Sequence, residues 1–413
     1  MHDDVAIDAD RFRERFEAYS RIGATDDDGL HRLALSDADR EARDRFVGDL
    51  EDAGLAVRVD EIGNVFGRYD AGDPDAAPVL VGSHLDSQPY GGRFDGQLGV
   101  LTALEAVQSI AESPVEPDRP IEVVNWTNEE GSRFQPSMLG SAGYVGHEPV
   151  DDLLAATDRD GNAVGDELER IGYDGDAPCE PPEAGVDSYL ELHVEQGPVL
   201  DDRDLPVAVV DGVYGLAWLR ITIDGQANHA GPTPMHGRSD ALVAASDAIS
   251  EINRLPQQLS ADAVATVGEF DVEPNSVNVI PSTATFTVDT RSYDDDVVEN
   301  AVERIEAEVA AAADRHGADA DVDRLSRHHS MAFSDRVRDA ADRAVEAAGV
   351  DATHLVSGAG HDAQHLQSIT DAGMLFVPSV DGITHSEEEY TEWDDCVAGA
   401  RAFTHTTLEL ATE

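Results

Sequence analysis

The chain has 413 residues, of which 41% are hydrophobic, and it carries 85 acidic against 28 basic residues for a formal net charge of −57. Its length allows a sizeable core and more than one domain, two cysteines exclude a disulfide framework, and the negative charge argues against nucleic acid or an anionic membrane as partner. Because we find neither a signal-like N-terminal segment nor roughly 18 consecutive apolar residues, we expect a cytoplasmic protein.

The acidic residues are spread along the whole chain, and every basic residue is an arginine. Disorder does not fit, because periodic apolar stretches recur throughout, and an acidic tail does not fit this even distribution. Repulsion between surface carboxylates is largely screened at about 1 M salt, where the Debye length is ~3 Å. We therefore interpret the charge as a halophile's adaptation and expect the fold to loosen in dilute buffer.

Residues 1–212 alternate predicted helices and strands. Helical signals lie between residues 10 and 55, including a helix start at Ser36. The later predicted elements are strands at 55–59, 64–68 and 78–84, a helix at 96–109, and strands at 121–130 and 189–196. Between the last two strands, residues 151–188 predict one helix and a surface loop. This alternation is typical of an α/β fold with a mostly parallel central sheet flanked by helices.

Residues 213–329 differ in pattern from the rest. They predict a strand at 216–225, a helix at 240–253, strands at 263–270 and 284–291, and a helix at 297–316. This order resembles a small α+β insert. The α/β pattern resumes at 330–413, so we expect one domain made of 1–212 and 330–413, interrupted by an inserted domain at 213–329.

The first cluster of candidate functional residues follows the predicted strand 78–84. His84 and Asp86 lie two residues apart at the strand end and point to one side. His84 can bind a metal, Asp86 can orient its imidazole, and Asp95 lies on a glycine-rich turn that lets a carboxylate approach an ion. Taken alone, a His-x-Asp pattern is more often structural.

The second cluster is Glu129-Glu130 at the end of a predicted buried strand. Adjacent buried carboxylates are costly unless a positive charge compensates them. A metal ion would do so, with one glutamate as ligand and the other as general base. An exposed acidic loop is the simpler explanation of this pair in isolation.

Two further segments add histidines. The strand 189–196 carries His193 and Glu195, either of which could be a ligand, and His385 follows the apolar run Met374–Val377. Together these clusters place histidines and carboxylates at the ends of several apolar strands, which is where α/β sheets place active sites. The mixed nitrogen and oxygen donors suit Zn²⁺ as well as Mn²⁺, Co²⁺ or Ni²⁺.

Several motifs resemble the ureidohydrolase branch of the dinuclear M20 metallopeptidase family, which includes N-carbamoyl-L-amino-acid hydrolases, allantoate amidohydrolases and β-ureidopropionases. The resemblance covers nearly the whole chain, from residue 22 to residue 391, and its most specific motifs occur together and in order. They are Gly-Ser-His-Leu-Asp-Ser at 82–87, Asn-Glu-Glu-Gly-Ser-Arg-Phe at 128–134, His-Val-Glu-Gln-Gly-Pro at 193–198, Ala-Asn-His-Ala-Gly at 227–231, Glu-Pro-Asn-Ser-Val-Asn at 273–278 and Gly-Ala-Gly-His-Asp-Ala at 358–363.

The resemblance implies two divalent metal ions in each subunit. His84 and His193 would hold one ion, Glu130 and His385 the other, and Asp95 would bridge them, with Glu129 as the general base. Related peptidases usually have an acidic residue where this chain has His193. Its presence favours the ureidohydrolase branch and selects His193 over Glu195.

The resemblance also assigns the insert as a lid that forms a homodimer. His229 would stabilise the oxyanion in the partner subunit's active site, while Asn278 and Arg291 would bind the substrate carboxylate, for which the planar guanidinium is suited. Gln196 and the backbone around Gly360 would line the pocket. Thr384 departs from the family pattern, in which serine is common at this position.

These implications predict hydrolysis of the carbamoyl or ureido C–N bond of N-carbamoyl-L-amino acids, allantoate or N-carbamoyl-β-alanine, with release of ammonia and carbon dioxide. The alternative is an aminoacylase or dipeptidase on the same two-metal scaffold. A non-catalytic metal or small-molecule binder is disfavoured, because Glu129 and the ligand set are intact.

Overall fold

The computed structural model describes residues 5–412 and divides into two compact units. The first unit comprises the chain up to Asp211 and again from Phe333, and the second comprises Gly212–Ala332. The sequence-based boundaries of the insert were 213 and 329. The chain therefore leaves the first unit once and returns to it.

Strands and helices alternate along much of the chain. The strands are β1 (Ala56–Val59), β2 (Val65–Tyr69), β3 (Val79–His84), β4 (Ile121–Trp126), β5 (Ser188–Val194), β6 (Val207–Val213), β7 (Gly215–Asp224), β8 (Asn228–His229), β9 (Val264–Glu273), β10 (Val279–Ile280), β11 (Thr283–Ser292), β12 (Asp319–His328), β13 (Met331–Ala332), β14 (Ala352–Ser357) and β15 (Asp371–Val377). The α-helices are α1 (Ala9–Tyr19), α2 (Asp37–Asp52), α3 (Gln97–Glu112), α4 (Leu139–Tyr144), α5 (Val150–Leu154), α6 (Val164–Ile171), α7 (Val199–Arg203), α8 (Ala241–Ile252), α9 (Pro256–Leu259), α10 (Asp295–His316), α11 (Asp335–Ala348), α12 (Asp362–Leu366) and α13 (Trp393–Ala411).

The central sheet of the first unit is parallel in its middle. Strands β4, β3, β5 and β15 are neighbours in that order and run parallel. Strands β2 and β6 flank them antiparallel. Every residue of β3, β4 and β5 is buried, as expected for apolar strands covered on both faces by helices. The predicted α/β class with a mostly parallel sheet is confirmed.

The parallel arrangement determines where the candidate residues meet. Since β3, β4, β5 and β15 run in one direction, their carboxyl ends share one edge of the sheet. His84 ends β3, and the Glu129-Glu130 pair follows β4. His193 lies one residue before the end of β5, and His385 follows β15. The fold thus gathers residues that are distant in sequence at one edge.

The second unit is a two-layer α+β domain. Its four-stranded sheet has the order β12-β7-β11-β9, with antiparallel pairing throughout. Strand β7 alternates buried and more exposed residues, and its buried residues join a core formed with α8 and α10. That core includes Leu219, Ile221, Ile223, Ala248, Phe286 and Ile305.

Several elements differ from the sequence-based expectation. Strands β6, β8, β10, β12, β13 and β14 were not predicted individually, and residues 151–188 contain parts of two short helices, α5 and α6, rather than one. The predicted start of α2 is confirmed, since the Ser36 hydroxyl accepts a hydrogen bond of 3.2 Å from the Asp39 N–H. Within residues 5–412, no helix combines the length and apolar character needed to cross a membrane.

Candidate active site

His84 is buried at the end of β3, and only one of its two ring nitrogens is hydrogen-bonded within the described part of the chain. Its Nδ1 lies 2.9 Å from the backbone oxygen of Asp86, which places the proton on Nδ1. Burial lowers the pKa of His84 to about 4, so the ring is neutral. The Nε2 atom is buried and has no hydrogen-bond partner among residues 5–412. A buried lone pair of this kind fits a metal ligand.

His193 on β5 is oriented at Nδ1 in the same way, but its Nε2 has a partner. Its Nδ1 lies 3.0 Å from the backbone oxygen of Val194, and its Nε2 lies 3.0 Å from Oδ1 of Asp95. Burial opposes protonation, but the hydrogen bond and charge of Asp95 outweigh it and raise the pKa of His193 to about 9. The Nε2 of His84 is 3.7 Å from the same Oδ1 atom. Both rings therefore direct Nε2 toward one carboxylate oxygen.

Asp95 belongs to two groups of potential metal ligands. The first is His84, Asp95 and His193, and the second is Asp95, Glu130 and His385, with the donor atoms of each group within 4.8 Å of one another. His385 Nε2 lies 3.2 Å from Oδ2 of Asp95 and 3.7 Å from Oε2 of Glu130. The two oxygens of Asp95 thus face different groups, as a carboxylate shared by two ions would.

Asp86 connects the β3 end to the acidic pair after β4. Its carboxylate accepts hydrogen bonds from the backbone N–H groups of Glu129 at 3.2 Å and Glu130 at 3.3 Å. Asp86 therefore orients the His84 ring through its backbone oxygen, while its carboxylate, 3.7 Å from Nδ1, holds the Glu129-Glu130 backbone. This is a more specific role than the one the sequence suggested.

The two adjacent glutamates have different surroundings. Glu130 accepts hydrogen bonds from the backbone N–H of Gln88 at 3.0 Å and from its side-chain amide at 2.7 Å. The Glu129 carboxylate lies 3.5 Å from His84 Nε2, and its side chain is 12% exposed. Glu130 is thus fixed, whereas Glu129 faces the space beside the histidine and remains accessible.

Negative charge accumulates at this edge of the sheet. Burial, followed by the charges of Asp362 and Glu130, raises the pKa of Glu129 well above its usual value. Burial, followed by the charges of Asp95 and Asp86, does the same for Glu130. Buried carboxylates of this kind need compensating positive charge. The donor set of imidazole nitrogens and carboxylate oxygens therefore fits divalent ions of the Zn²⁺ or Mn²⁺ type.

Gln196 and Gly360 also lie in the first unit. The Gln196 side-chain amide donates to Oδ2 of Asp95 at 3.2 Å, so Gln196 lies beside the second group. Gly360 precedes His361, whose ring centroid is 4.6 Å from that of His193. A side chain at Gly360 would press against Gln364, since its Cβ would lie 2.8 Å from the amide oxygen. Both positions therefore lie at or next to the cluster.

The remaining predicted residues lie in the second unit. His229 and Asn278 are neighbours, because β8 pairs with β10 and the Ala230 N–H donates to the backbone oxygen of Asn278 at 2.9 Å. Both side chains are exposed. Arg291 on β11 forms an ion pair with Asp289 at 2.6 Å. The structure thus brings His229 together with Asn278 and gives Arg291 an acidic neighbour of its own.

Sequence reasoning missed three residues that support the cluster. The first is Gln88, whose side-chain amide donates a hydrogen bond to Glu130. The second is Glu191, which accepts a hydrogen bond of 2.8 Å from the Ser83 hydroxyl. The third is Glu389, which accepts a hydrogen bond of 3.0 Å from the backbone N–H of Asp95. A usable signal existed for Glu191, because it is a carboxylate within an apolar strand. Glu389 gave none, since it lies in a run of three glutamates in a very acidic chain.

Comparisons with known proteins identify the family of this chain. Peptidase family M20/M25/M40 matches residues 80–409. N-carbamoyl-L-amino-acid amidohydrolase of Rhizobium meliloti is 38% identical over 405 residues, which cover 98% of this chain and 97% of that protein. Allantoate amidohydrolase of Bacillus subtilis is 31% identical over 395 residues, with 96% of each protein covered.

A solved structure shares the fold of this chain over nearly its whole length. The crystal structure of an amidase of the hydantoinase/carbamoylase family from Burkholderia multivorans superposes with a TM-score of 0.94 and 42% identity, over 99% of both chains. The family resemblance seen in the sequence is confirmed by the family match and by these relatives. The chain belongs to peptidase family M20/M25/M40.

Proposed function

We propose that this protein is an amidohydrolase that cleaves the carbamoyl or ureido C–N bond of an N-carbamoyl-L-amino acid or a related ureido acid such as allantoate or N-carbamoyl-β-alanine. The observation that carries the proposal is Asp95, whose two oxygens face separate histidine-containing groups in a family whose relatives are named for this chemistry. His193 in place of an acidic ligand supports this branch over the peptidases.

The cofactors in this proposal are two divalent ions, Zn²⁺ or else Mn²⁺, Co²⁺ or Ni²⁺. His84 and His193 would hold one ion, Glu130 and His385 would hold the other, and Asp95 would be a ligand of both, as its place in both ligand groups supports. When bound, such ions supply Lewis acidity toward water and toward the carbamoyl oxygen. The carbonyl acceptors at Nδ1 orient both rings so that Nε2 of His84 and of His193 points toward Asp95, where these atoms would serve as ligands.

Glu129 handles the proton in this reaction. Its backbone is held by Asp86 and its carboxylate remains accessible beside His84, which suits a general base. It accepts a proton from the water that attacks the carbamoyl carbon and delivers it to the leaving nitrogen. One water and one N-carbamoyl amino acid thereby give ammonia, carbon dioxide and the amino acid.

The proposed substrate-binding residues are those that the family motifs assign. They are Gln196, the backbone at Gly360, His229, Asn278 and Arg291. His229 stabilises the oxyanion, and Arg291 pairs its planar guanidinium with the substrate carboxylate. Sequence motifs shared with the family support these roles, together with the adjacency of His229 and Asn278.

We also propose a homodimer formed through the second unit, active in a salt-rich cytoplasm. Large exposed apolar side chains of that unit, including Trp218, Val264 and Phe270, support an interface there. The charge of −57 supports the saline setting. Sedimentation in concentrated salt should give the mass of two chains, and a single-chain mass at all concentrations would contradict the dimer.

The function is tested by ammonia release in high-salt buffer with Mn²⁺ or Co²⁺. The substrates are N-carbamoyl-L-amino acids, allantoate and N-carbamoyl-β-alanine, beside N-acetyl amino acids and dipeptides, and chelator-treated protein is the control. Turnover of at least one ureido compound is expected. Cleavage of the acetyl or peptide substrates alone would replace the proposal with the aminoacylase or dipeptidase alternative.

A further inference from the structure

Glu389 joins the two segments that carry Asp95 and His385. It is only 4% exposed. Its Oε1 accepts hydrogen bonds from the backbone N–H groups of Phe94 at 3.1 Å and Asp95 at 3.0 Å, and its Oε2 accepts one from the Thr384 hydroxyl at 2.9 Å. One carboxylate thus holds the backbone of the bridging residue and the residue immediately before His385.

The position of this carboxylate is fixed from both sides. On one side, Gly92 in the turn before Asp95 packs against the Glu389 carboxylate, and a Cβ at Gly92 would overlap this carboxylate. On the other side, the backbone oxygen of Tyr390 accepts a hydrogen bond from the backbone N–H of Val380 at 2.9 Å. The Thr391 hydroxyl donates to the backbone oxygen of Pro378 at 2.8 Å. These bonds anchor residues 389–391 to the segment that follows β15.

His385 depends on such an anchor more than the other ligands do. The rings of His84 and His193 are oriented by backbone oxygens, and Glu130 is held by two bonds from Gln88. The His385 side chain is 48% exposed, and its backbone has a φ of 52°. A left-handed backbone at a residue other than glycine persists only when surrounding contacts hold it, so the placement of His385 follows from the backbone beside it.

We propose that Glu389 is a positioning residue that sets the separation of Asp95 and His385. It thereby sets the affinity of the second ion, which is the ion assigned to Asp95, Glu130 and His385; the first ion is the one assigned to His84, His193 and Asp95. This proposal rests on the two-ion function above. Thr384 is its partner in this task. A serine, which is common here in the family pattern, would offer the same hydroxyl, so the departure at Thr384 preserves the contact.

The test measures Mn²⁺ binding to the full chain by titration calorimetry in high salt, with bound metal counted after dialysis. Glu389→Ala removes the acceptor, and Glu389→Gln keeps an oxygen for the two N–H groups and an amide for the Thr384 hydroxyl. Thr384→Val and Thr384→Ser form a matched pair at the other end of the link. Glu388→Ala is the control, because Glu388 is the exposed neighbour.

Wild type is expected to bind two ions. Glu389→Ala should weaken the second ion roughly 10–100-fold, as for other residues that support metal ligands, and weaken the first ion less, because His84 and His193 are oriented by their own backbone contacts. Thr384→Val should weaken the second ion less, while Glu389→Gln, Thr384→Ser and Glu388→Ala should resemble wild type. If Glu389→Ala does not fold, the Thr384 pair decides the test.

Two results overturn the inference. One is a wild-type affinity for the second ion in both Glu389→Ala and Thr384→Val. The other is equal weakening of both ions with a lower melting temperature, which would make Glu389 a general stabilising residue. A wild type that binds fewer than two ions would instead contradict the two-ion function itself.

Discussion

The carboxyl edge of the first unit and the His229–Asn278 pair of the second unit carry similar residue types in opposite surroundings. His84 and His193 are 1% and 2% exposed, and each has a ring nitrogen directed by a backbone oxygen. His229 and Asn278 are exposed. A buried polar group must be compensated within the protein, whereas an exposed group is satisfied by water.

This difference determines how far geometry specifies chemistry in each region. At the buried edge, carboxylates with raised pKa values and an unpaired His84 Nε2 fit a bound cation. At the exposed pair, nothing in the folded state requires a ligand. We therefore expect substitutions at the edge to alter metal binding or the proton step, and substitutions at the pair to alter turnover alone.

The largest expected effect is on turnover of Glu129→Gln. The amide cannot accept the proton, so kcat should fall roughly 10²–10⁴-fold, the range typical of a lost general base. The count of bound ions should stay at the wild-type value, because Glu129 is outside both ligand groups. Steady-state ammonia release and metal analysis check both parts. An undiminished kcat would remove Glu129 from the mechanism.

The next effect concerns the exposed pair. His229→Ala should lower kcat roughly 10²–10³-fold, as loss of an oxyanion donor does elsewhere, with no change in bound metal or melting temperature. The control is His236→Ala, since His236 is also an exposed histidine of the second unit. A loss of metal in His229→Ala would erase the contrast between the two regions.

The sequence predicted the buried edge well because its signals are local. Strands 78–84 and 121–130 correspond to β3 and β4, since continuous runs of apolar and β-branched residues indicate buried parallel strands. Histidines and acids directly after such runs indicate a site at the sheet edge. The combination of motifs then selected the family, which the comparisons confirm.

The features that were missed lack such local signals. Strand β12 reads Asp-Ala-Asp-Val-Asp-Arg-Leu-Ser-Arg-His, and its polar residues hide a strand that forms only by pairing with β7. Glu389 is buried whereas Glu388 is exposed, and nothing within three consecutive glutamates distinguishes them. Their roles depend on contacts with distant residues, which hydrophobic periodicity does not report.

Salt should separate buried from exposed negative charge. The acids Asp319, Asp321 and Asp323 are exposed on β12, at spacings of about 7 Å on one face. The Debye length falls from ~10 Å at 0.1 M salt to ~3 Å at 1 M. At high salt it is therefore shorter than the spacing of these carboxylates, and their mutual repulsion is screened. Chemical denaturation should show a free energy of unfolding that rises with KCl by several times the ~1 kcal/mol of one exposed ion pair.

Metal counts at the two salt concentrations are the control for this prediction. The number of bound ions per folded chain should be the same at low and at high salt, because the proposed metal ions, and not the dissolved salt, compensate the carboxylates at the sheet edge. Equal stability in 0.1 M and 2 M KCl would contradict the halophile interpretation of the charge.

The smallest expected effects come from a pair of glycines. Gly96 has a φ of 62°, and a Cβ there would overlap the His84 ring, so Gly96→Ala should destabilise the fold by at least about 1 kcal/mol and weaken metal binding. Gly48 lies within α2 with open space around it, so Gly48→Ala should stabilise by about 0.5–1 kcal/mol. Thermal unfolding compares them, and a tolerated Gly96→Ala would contradict the close approach to His84.

The most direct test of the two-ion account is to titrate chelator-treated protein with Mn²⁺ in high salt and follow ammonia release from its preferred ureido substrate. The account predicts no turnover without metal, a rate that rises as ions bind, and a plateau at two bound ions per chain. Full turnover by protein shown to hold no metal would contradict it.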